Sequence, residues 1–265
     1  MIPPEVPRNF EVHQAIKQIV NTSAQQRTFL TAEWKNLLML NYAVEPDLLR
    51  PFVPSGTELD SHNGLTYASL IGFQFNKTRL LGRPVPFHQS FEEVNLRFYV
   101  RRGTRRGVVF IRELVPKVAV TAIARLAYGE NYSCVPMSHR LNTASGVFSA
   151  EYSWGSGTTR SSISASTSSQ SYLPTPGSLS EFITEHYWGY AIRSGRTVEY
   201  QVDHPQWQVR EADDAQFAGD AARYYGPDFV NLLSRPPDSA FLVEGSAVTV
   251  FKGTPLTPAE SNATI

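Results

Sequence analysis

Between Glu92 and Tyr132 the chain reads EEVNLRFYVRRGTRRGVVFIRELVPKVAVTAIARLAYGENY, and no other stretch restricts the fold as much. Val94, Leu96, Phe98 and Val100 alternate with Asn95, Arg97 and Tyr99. Period two puts the polar trio on one face of a strand and the apolar stripe on the other. Arg101 to Gly107 is expected to form a hairpin loop, with Gly103 and Gly107 where positive φ carries little steric penalty. The return strand, VVFIRELV, is rich in β-branched residues and ends at Pro116, which cannot donate to a ladder. Lys117 follows, then VAVTAIARLAY, which suits either a helix or a buried strand. Five chargeable residues interrupt this otherwise apolar pattern: Arg97, Arg112, Glu113, Lys117 and Arg125.

The 265 residues are enough to bury a sizeable core, and mainly-β folds of this length are often undivided. Lys plus Arg and Asp plus Glu number 24 each, so the formal charge is zero. No basic stripe or tail points to nucleic acid or to an anionic membrane surface. RRGTRR is the one local basic cluster, and a solvated hairpin tip explains it. The single cysteine, Cys134, excludes a disulfide within the chain and reads as a buried, inert thiol. No apolar run approaches a membrane span, and the first residues lack the features of a signal peptide. The expectation is a soluble, cytoplasmic protein.

Residues 1–28 read as a proline-containing arm followed by a short amphipathic helix (FEVHQAIKQIVNTSAQQ). Strands are expected at Phe29–Val44 and Gly64–Phe75, with a short helix, DLLRPF, between them. After the central stretch, strands near Ser133–Leu141, Gly146–Trp154 and Thr158–Ala165 suggest an antiparallel meander. Ser178 and Glu181 form a capping-box pattern. WGYAIR and TVEYQVDHPQW flank a Ser194-Gly195 turn. A second helix is expected over Asp213–Tyr225, stopped by Gly226. Ser239–Phe251 is a closing strand carrying one buried-looking charge, Glu244. The main domain is thus placed at 29–251, with a disordered tail at 252–265.

Several runs, WKNLLMLNYAVEPDLLRPFVPSGTELD, EVNLRFYV, GVVFIRELVPKVAVTAIARLAYGENY, HYWGY, VDHPQW and VEGSAVTVF, resemble the YqjF-like family of uncharacterised bacterial proteins. That family is grouped with acetoacetate decarboxylase, so the resemblance implies an antiparallel β-barrel or large curved sheet enclosing a pocket. FIRELVPK is similar to the decarboxylase motif whose lysine forms a Schiff base, which would place that role on Lys117. Lys35 falls near the decarboxylase's substrate-binding arginine. Three departures stand against the inference: Val118 replaces a second lysine, the spacer before Pro-Lys is shorter, and Ser69 stands near the place of a pocket glutamate.

The residues themselves leave alternatives open. An imine-forming Lys117 needs its amine well below the usual lysine range, through burial or a neighbouring cation such as Arg112. Asn95, Arg97 and Tyr99 form a carboxylate site if their face is interior, and a solvated face otherwise. Arg112 and Glu113 should point to opposite faces. A buried Glu113 or Glu244 would need a partner such as Arg97 or Arg125, so a structural ion pair competes with a ligand role. His186 and His204 lack any metal-ligand spacing, and no metal or cofactor is expected. Nucleophile-elbow, dinucleotide-binding and P-loop signatures are all missing.

The reading is a mainly β, acetoacetate decarboxylase-like protein with an internal small-molecule pocket for an organic or keto acid. Lys35, Asn95, Arg97, Tyr99, Arg112, Glu113 and Glu244 are its candidate ligand contacts. The alternatives are a decarboxylase-like lyase acting through Lys117, and a non-catalytic structural or homo-oligomeric protein.

Overall fold

Alternating sequence becomes a sheet that curls until its two ends meet. The computed structural model describes residues 27–86, 88–117 and 131–257. Its strands are β1 (Thr28–Val44), β2 (Glu58–Leu59), β3 (Thr66–Leu80), β4 (Arg83–Pro84), β5 (Phe91–Arg102), β6 (Arg105–Val115), β7 (Tyr132–Cys134) and β8 (Met137–Ala144). They continue with β9 (Val147–Trp154), β10 (Ser161–Thr167), β11 (Trp188–Arg193), β12 (Arg196–Asp203), β13 (Val209–Glu211), β14 (Asp213–Ala218), β15 (Ser239–Phe251) and β16 (Thr254–Pro255). The large sheet runs β15-β1-β3-β5-β6-β11-β12, and β12 pairs again with β15 through Val202–Val250 and Asp203–Thr249. The path therefore closes into a ring. Pairing is antiparallel except where β6 meets β11 and β7. A second sheet, β14-β10-β9-β8, is the expected meander with one more strand.

Period two on β5 assigns each face its partner. Val94, Leu96, Phe98 and Val100 pack outward against Tyr152, Trp154 and Ile163 of the second sheet and against Tyr224, Tyr225 and Phe229. The other face looks into the ring, and there Tyr99 joins Tyr67, Ile71, Phe73 and Val108. Both faces are thus buried, which is why β1, β3 and β5 carry long apolar runs rather than a solvated polar side.

Several local expectations need correction. The β5–β6 turn is tighter than Arg101–Gly107: the strands run on to Arg102 and from Arg105, and Gly103 (φ 57°) makes the turn. Gly107 lies inside β6, where a Cβ would stand 2.7 Å from the Tyr190 ring, so it serves close packing instead. Asp213–Ala218 is a strand, not a helix; Ala215 and Phe217 alternate onto the core beside β10, and the helix is only Ala221–Tyr225. Cys134 ends the short strand β7 and is exposed. Past Phe251, in the expected tail, β16 pairs with β12 and Leu256 is buried. The helix candidates in 10–26 and 118–128 fall outside the described residues, as do 258–265.

Helix caps and turns follow the residue chemistry. Ser178 Oγ accepts from Glu181 N at 3.2 Å and starts the helix Leu179–Thr184. Ser194 (φ 51°) and Gly195 (φ 73°) form the β11–β12 turn.

Gly72 marks where the ring touches the second sheet. A Cβ there would lie 2.7 Å from the Tyr152 ring and 2.9 Å from Ile163. Gly72→Ala should therefore destabilise by about 1–3 kcal/mol through overpacking. At roughly 2–4 °C per kcal/mol, a thermal melt resolves this; an unchanged melting temperature would show that the two sheets part freely here.

Candidate functional site

The described residues leave space inside the ring. A cavity of about 140 Å³ remains, with room for roughly ten water-sized groups. Rows of cross-strand partners build its wall. Leu30 pairs with Leu80 and Val250, and Val202 with Val250. Trp34 pairs with Phe75, and Phe75 with Phe91. Phe73 then faces Glu93, Ile71 faces Asn95, and Asn95 faces Glu113. Last, Arg97 lies between Ser69 and Phe110. A bulge at Asn36 (φ 55°) turns both Trp34 and Leu37 to the cavity. Partly exposed Phe29, Leu80, Val85 and His88 stand at the outer end, while the polar residues at the other end are buried.

That deep end is charged. Glu93, Asn95, Arg97, Glu113 and His186 all line the cavity and are each at most 9% exposed. Asn95 Nδ2 donates to Glu93 Oε1 at 2.9 Å, and the Tyr132 hydroxyl donates to Glu93 Oε2 at 3.3 Å. Arg97 Nη2 donates to the Ile183 carbonyl at 3.1 Å, and its guanidinium lies 5.6 Å from the Tyr99 ring centre. Tyr99 in turn packs against the His186 ring, centroids 4.6 Å apart and planes tilted by 31°, and hydrogen-bonds Ser69 at 2.6 Å. Ser69 donates to Asn41 Oδ1 at 2.7 Å.

Three of these groups keep polar atoms that the described residues leave unsatisfied. Among the described residues, Arg97 Nε and Asn95 Oδ1 make no hydrogen bond, and the His186 ring, beside the Ile183 carbonyl that already accepts from Arg97, makes none of ordinary geometry. Burial, reinforced by the positive fields of Arg97 and Arg106, holds the His186 imidazole well below its usual value of 6.5, so it is neutral. A neutral imidazole offers one donor and one acceptor. The deep end therefore presents a fixed positive charge with a spare N–H, a carbonyl acceptor and a two-way ring. Such a set can hold an anionic or carbonyl oxygen.

The sequence candidates divide. Asn95, Arg97 and Glu113 line the cavity, and Tyr99 braces Arg97 and His186. Arg112 points the other way and donates to Asn131 and Ser133. Lys35 and Glu244 stand on the outer surface, Nζ to Oε1 4.0 Å apart, with the glutamate side chain 83% exposed. Gly245 (φ 82°), packed against the Trp34 carbonyl, reverses the β15 alternation there. Lys117 is half-buried two residues past β6 and is not among the cavity's lining. Arg125 lies outside the described residues. His204 stacks between Tyr187 and Trp207. Among the described residues no group of three His, Cys, Asp or Glu could hold a metal ion, and no helix is long and apolar enough to cross a membrane.

Sequence reasoning passed over Glu93, Trp34 and the role of His186. Glu93 was recoverable, because the alternation through Asn95, Arg97 and Tyr99 extends back to it. His186 was not, since it follows a helix and meets Tyr99 only through the fold.

Because the folded state resists protonating His186, and His204 likewise, the unfolded chain binds more protons once pH falls through about 6.5. Stability is complete above that pH and declines below it. Asp238 and Glu151, held below their usual carboxylate values, add their losses only at lower pH. Melting temperature should thus fall between pH 7 and pH 5, and His186→Gln should flatten that slope. A variant slope equal to the wild type's would place the acid sensitivity elsewhere.

Comparison with known proteins adds a family and a fold. The model of the DUF2071 family, "Uncharacterized conserved protein", matches residues 31–246. The uncharacterized protein YqjF of Bacillus subtilis is 27% identical over 194 residues, spanning 68% of this chain and 74% of that protein. Among solved structures, the enduracididine biosynthesis enzyme MppR complexed with pyruvate has TM-score 0.64 at 15% identity, covering 91% of this chain and 95% of its own. An acetoacetate decarboxylase-like enzyme from Sphingomonas wittichii RW1 has TM-score 0.59 at 13% identity, with coverage of 86% and 93%. Acetoacetate decarboxylase from Legionella pneumophila has TM-score 0.58 at 12% identity, with coverage of 92% and 95%. The fold is acetoacetate decarboxylase-like.

Proposed function

The chain belongs to the DUF2071 family, and from its acetoacetate decarboxylase-like fold and charged cavity we propose that it binds a small organic acid inside the ring. The observation that carries this reading is the buried Arg97, whose Nε makes no hydrogen bond among the described residues, beside His186 and the unsatisfied Asn95 Oδ1. A carboxylate oxygen at Arg97 and the His186 N–H would supply the missing partners, and hydrogen bonds to charged groups are the strong ones. Asn95 Oδ1 suits an acidic or hydroxyl proton on the same ligand. The aromatic wall of Trp34, Phe73, Phe75, Phe91 and Phe110 takes the ligand's carbon body. One similar structure holds pyruvate, which fits this class of ligand.

A lyase reaction through a Schiff base at Lys117 rests on the Arg112-Glu113-Leu114 and Pro116-Lys117 resemblance. The cavity wall favours binding without it, because Lys117 is not part of that wall. Borohydride trapping with β-keto acids separates the two: a reduced adduct on Lys117, absent from Lys117→Ala, would establish the lyase.

Binding itself is read by thermal shift and calorimetry with a panel of keto and alkanoic acids. Arg97→Met should weaken any acid that raises the wild-type melting temperature by about ten- to a hundredfold. Equal affinity for wild type and for folded Arg97→Met would overturn the assignment.

A further inference from the structure

The cavity has a second, separate group of unsatisfied atoms. Trp34 Nε1 and Thr78 Oγ1 are buried, make no hydrogen bond among the described residues, and belong to residues of the cavity wall. Their place is set by register. Trp34 is paired with Phe75, and Thr78 stands between that pair and the Leu30–Leu80 pair. The deep-end atoms belong to Asn95 and Arg97 on β5, whereas the Trp34–Phe75 row meets β5 at Phe91. Four to six residues of β5 separate the two groups, roughly 13–20 Å at about 3.3 Å per residue. Between them the wall is Ile71, Phe73, Phe75 and Phe110, broken by Glu93.

Buried polar atoms without partners are rare in native structures, and each is unfavourable. Here such atoms sit at both ends of one apolar cavity. Trp Nε1 can only donate, and Thr Oγ1 donates or accepts. The chemistry they share is reception of a neutral oxygen. A three-carbon acid placed at Arg97 spans only a few ångströms of that separation and would not reach Trp34.

Building on the acid-binding reading, we propose that the ligand is bipolar and of medium length. Its carboxylate meets Arg97, an apolar body of several carbons crosses the Phe73–Phe75 band, and a carbonyl or hydroxyl oxygen near its far end accepts from Trp34 Nε1 beside Thr78. Trp34 and Thr78 are then specificity-determining residues that select an oxygenated tail over a plain one.

Two probes of matched length test this: octanoate and 7-oxooctanoate, with pyruvate as the short acid. Dissociation constants come from calorimetry on the full chain. The wild type should bind 7-oxooctanoate roughly three- to tenfold more tightly than octanoate, the worth of one neutral hydrogen bond. Both should exceed pyruvate. The readout is the ratio of the two octanoid constants, expected to fall to about one in Trp34→Phe, which keeps a ring but loses the donor. Thr78→Val should lower the same ratio and serves if Trp34→Phe does not fold. A wild-type ratio near one, or a ratio unchanged in both variants, overturns the distal site while leaving the Arg97 reading intact. Pyruvate binding more tightly than either longer acid overturns the medium length. No binding of any acid to folded protein overturns the acid reading on which this rests.

Discussion

A guanidinium and two carboxylates lie inside a closed ring of strands, and the rest of the structure is arranged around keeping them there. Isolated charges in such a place are strongly unfavourable. The ring surrounds them with fixed polar partners: the Ile183 carbonyl on Arg97, and the Asn95 amide and Tyr132 hydroxyl on Glu93. A hydrogen-bonded line of Asn41, Ser69 and Tyr99 backs Arg97 and His186 from behind. What this framework leaves unmet is as informative as what it meets: unsatisfied atoms of Trp34, Thr78, Asn95, Arg97 and His186 border one cavity.

The ring can hold polar groups on its inner face because its outer face carries the larger apolar core. The second sheet and the short helices around Ala221–Leu233 cover β1, β3, β5 and β6 from outside. Contact there is close enough that Gly72 admits no side chain. At the far side Arg102 and Arg105 converge on buried Glu199, and Arg105 also lies over Trp188, a residue of the cavity wall. The RRGTRR turn is thus paired with acidic groups, not an open basic patch.

Much of this is legible in the amino-acid sequence alone. Strict alternation in EVNLRFYV separated the polar row from the apolar stripe, and the fold placed each face where that separation required. Ser178 and Ser194-Gly195 announced their cap and turn by local chemistry alone. The site was readable only in part. Asn95, Arg97 and Glu113 share the β5–β6 pair, so short-range pattern found them. Lys35 and Glu244 were misplaced because paired irregularities at Asn36 and Gly245 reverse the facing of β1 and β15, and no periodicity reports a bulge. Trp34 became a wall residue through the same irregularity. His186 reaches Tyr99 across a long sequence separation, which single-sequence reasoning does not bridge.

The central claim is that a carboxylate is received by Arg97 inside the ring. Carbon-13 magnetic resonance of carboxyl-labelled octanoate tests it most directly, titrated with acid in the presence of the protein. The account predicts a separate bound resonance that stays in its ionised position below the range where the free acid protonates, and that disappears with Arg97→Met. A single resonance that titrates as the free acid does, in the presence of folded protein, would contradict it.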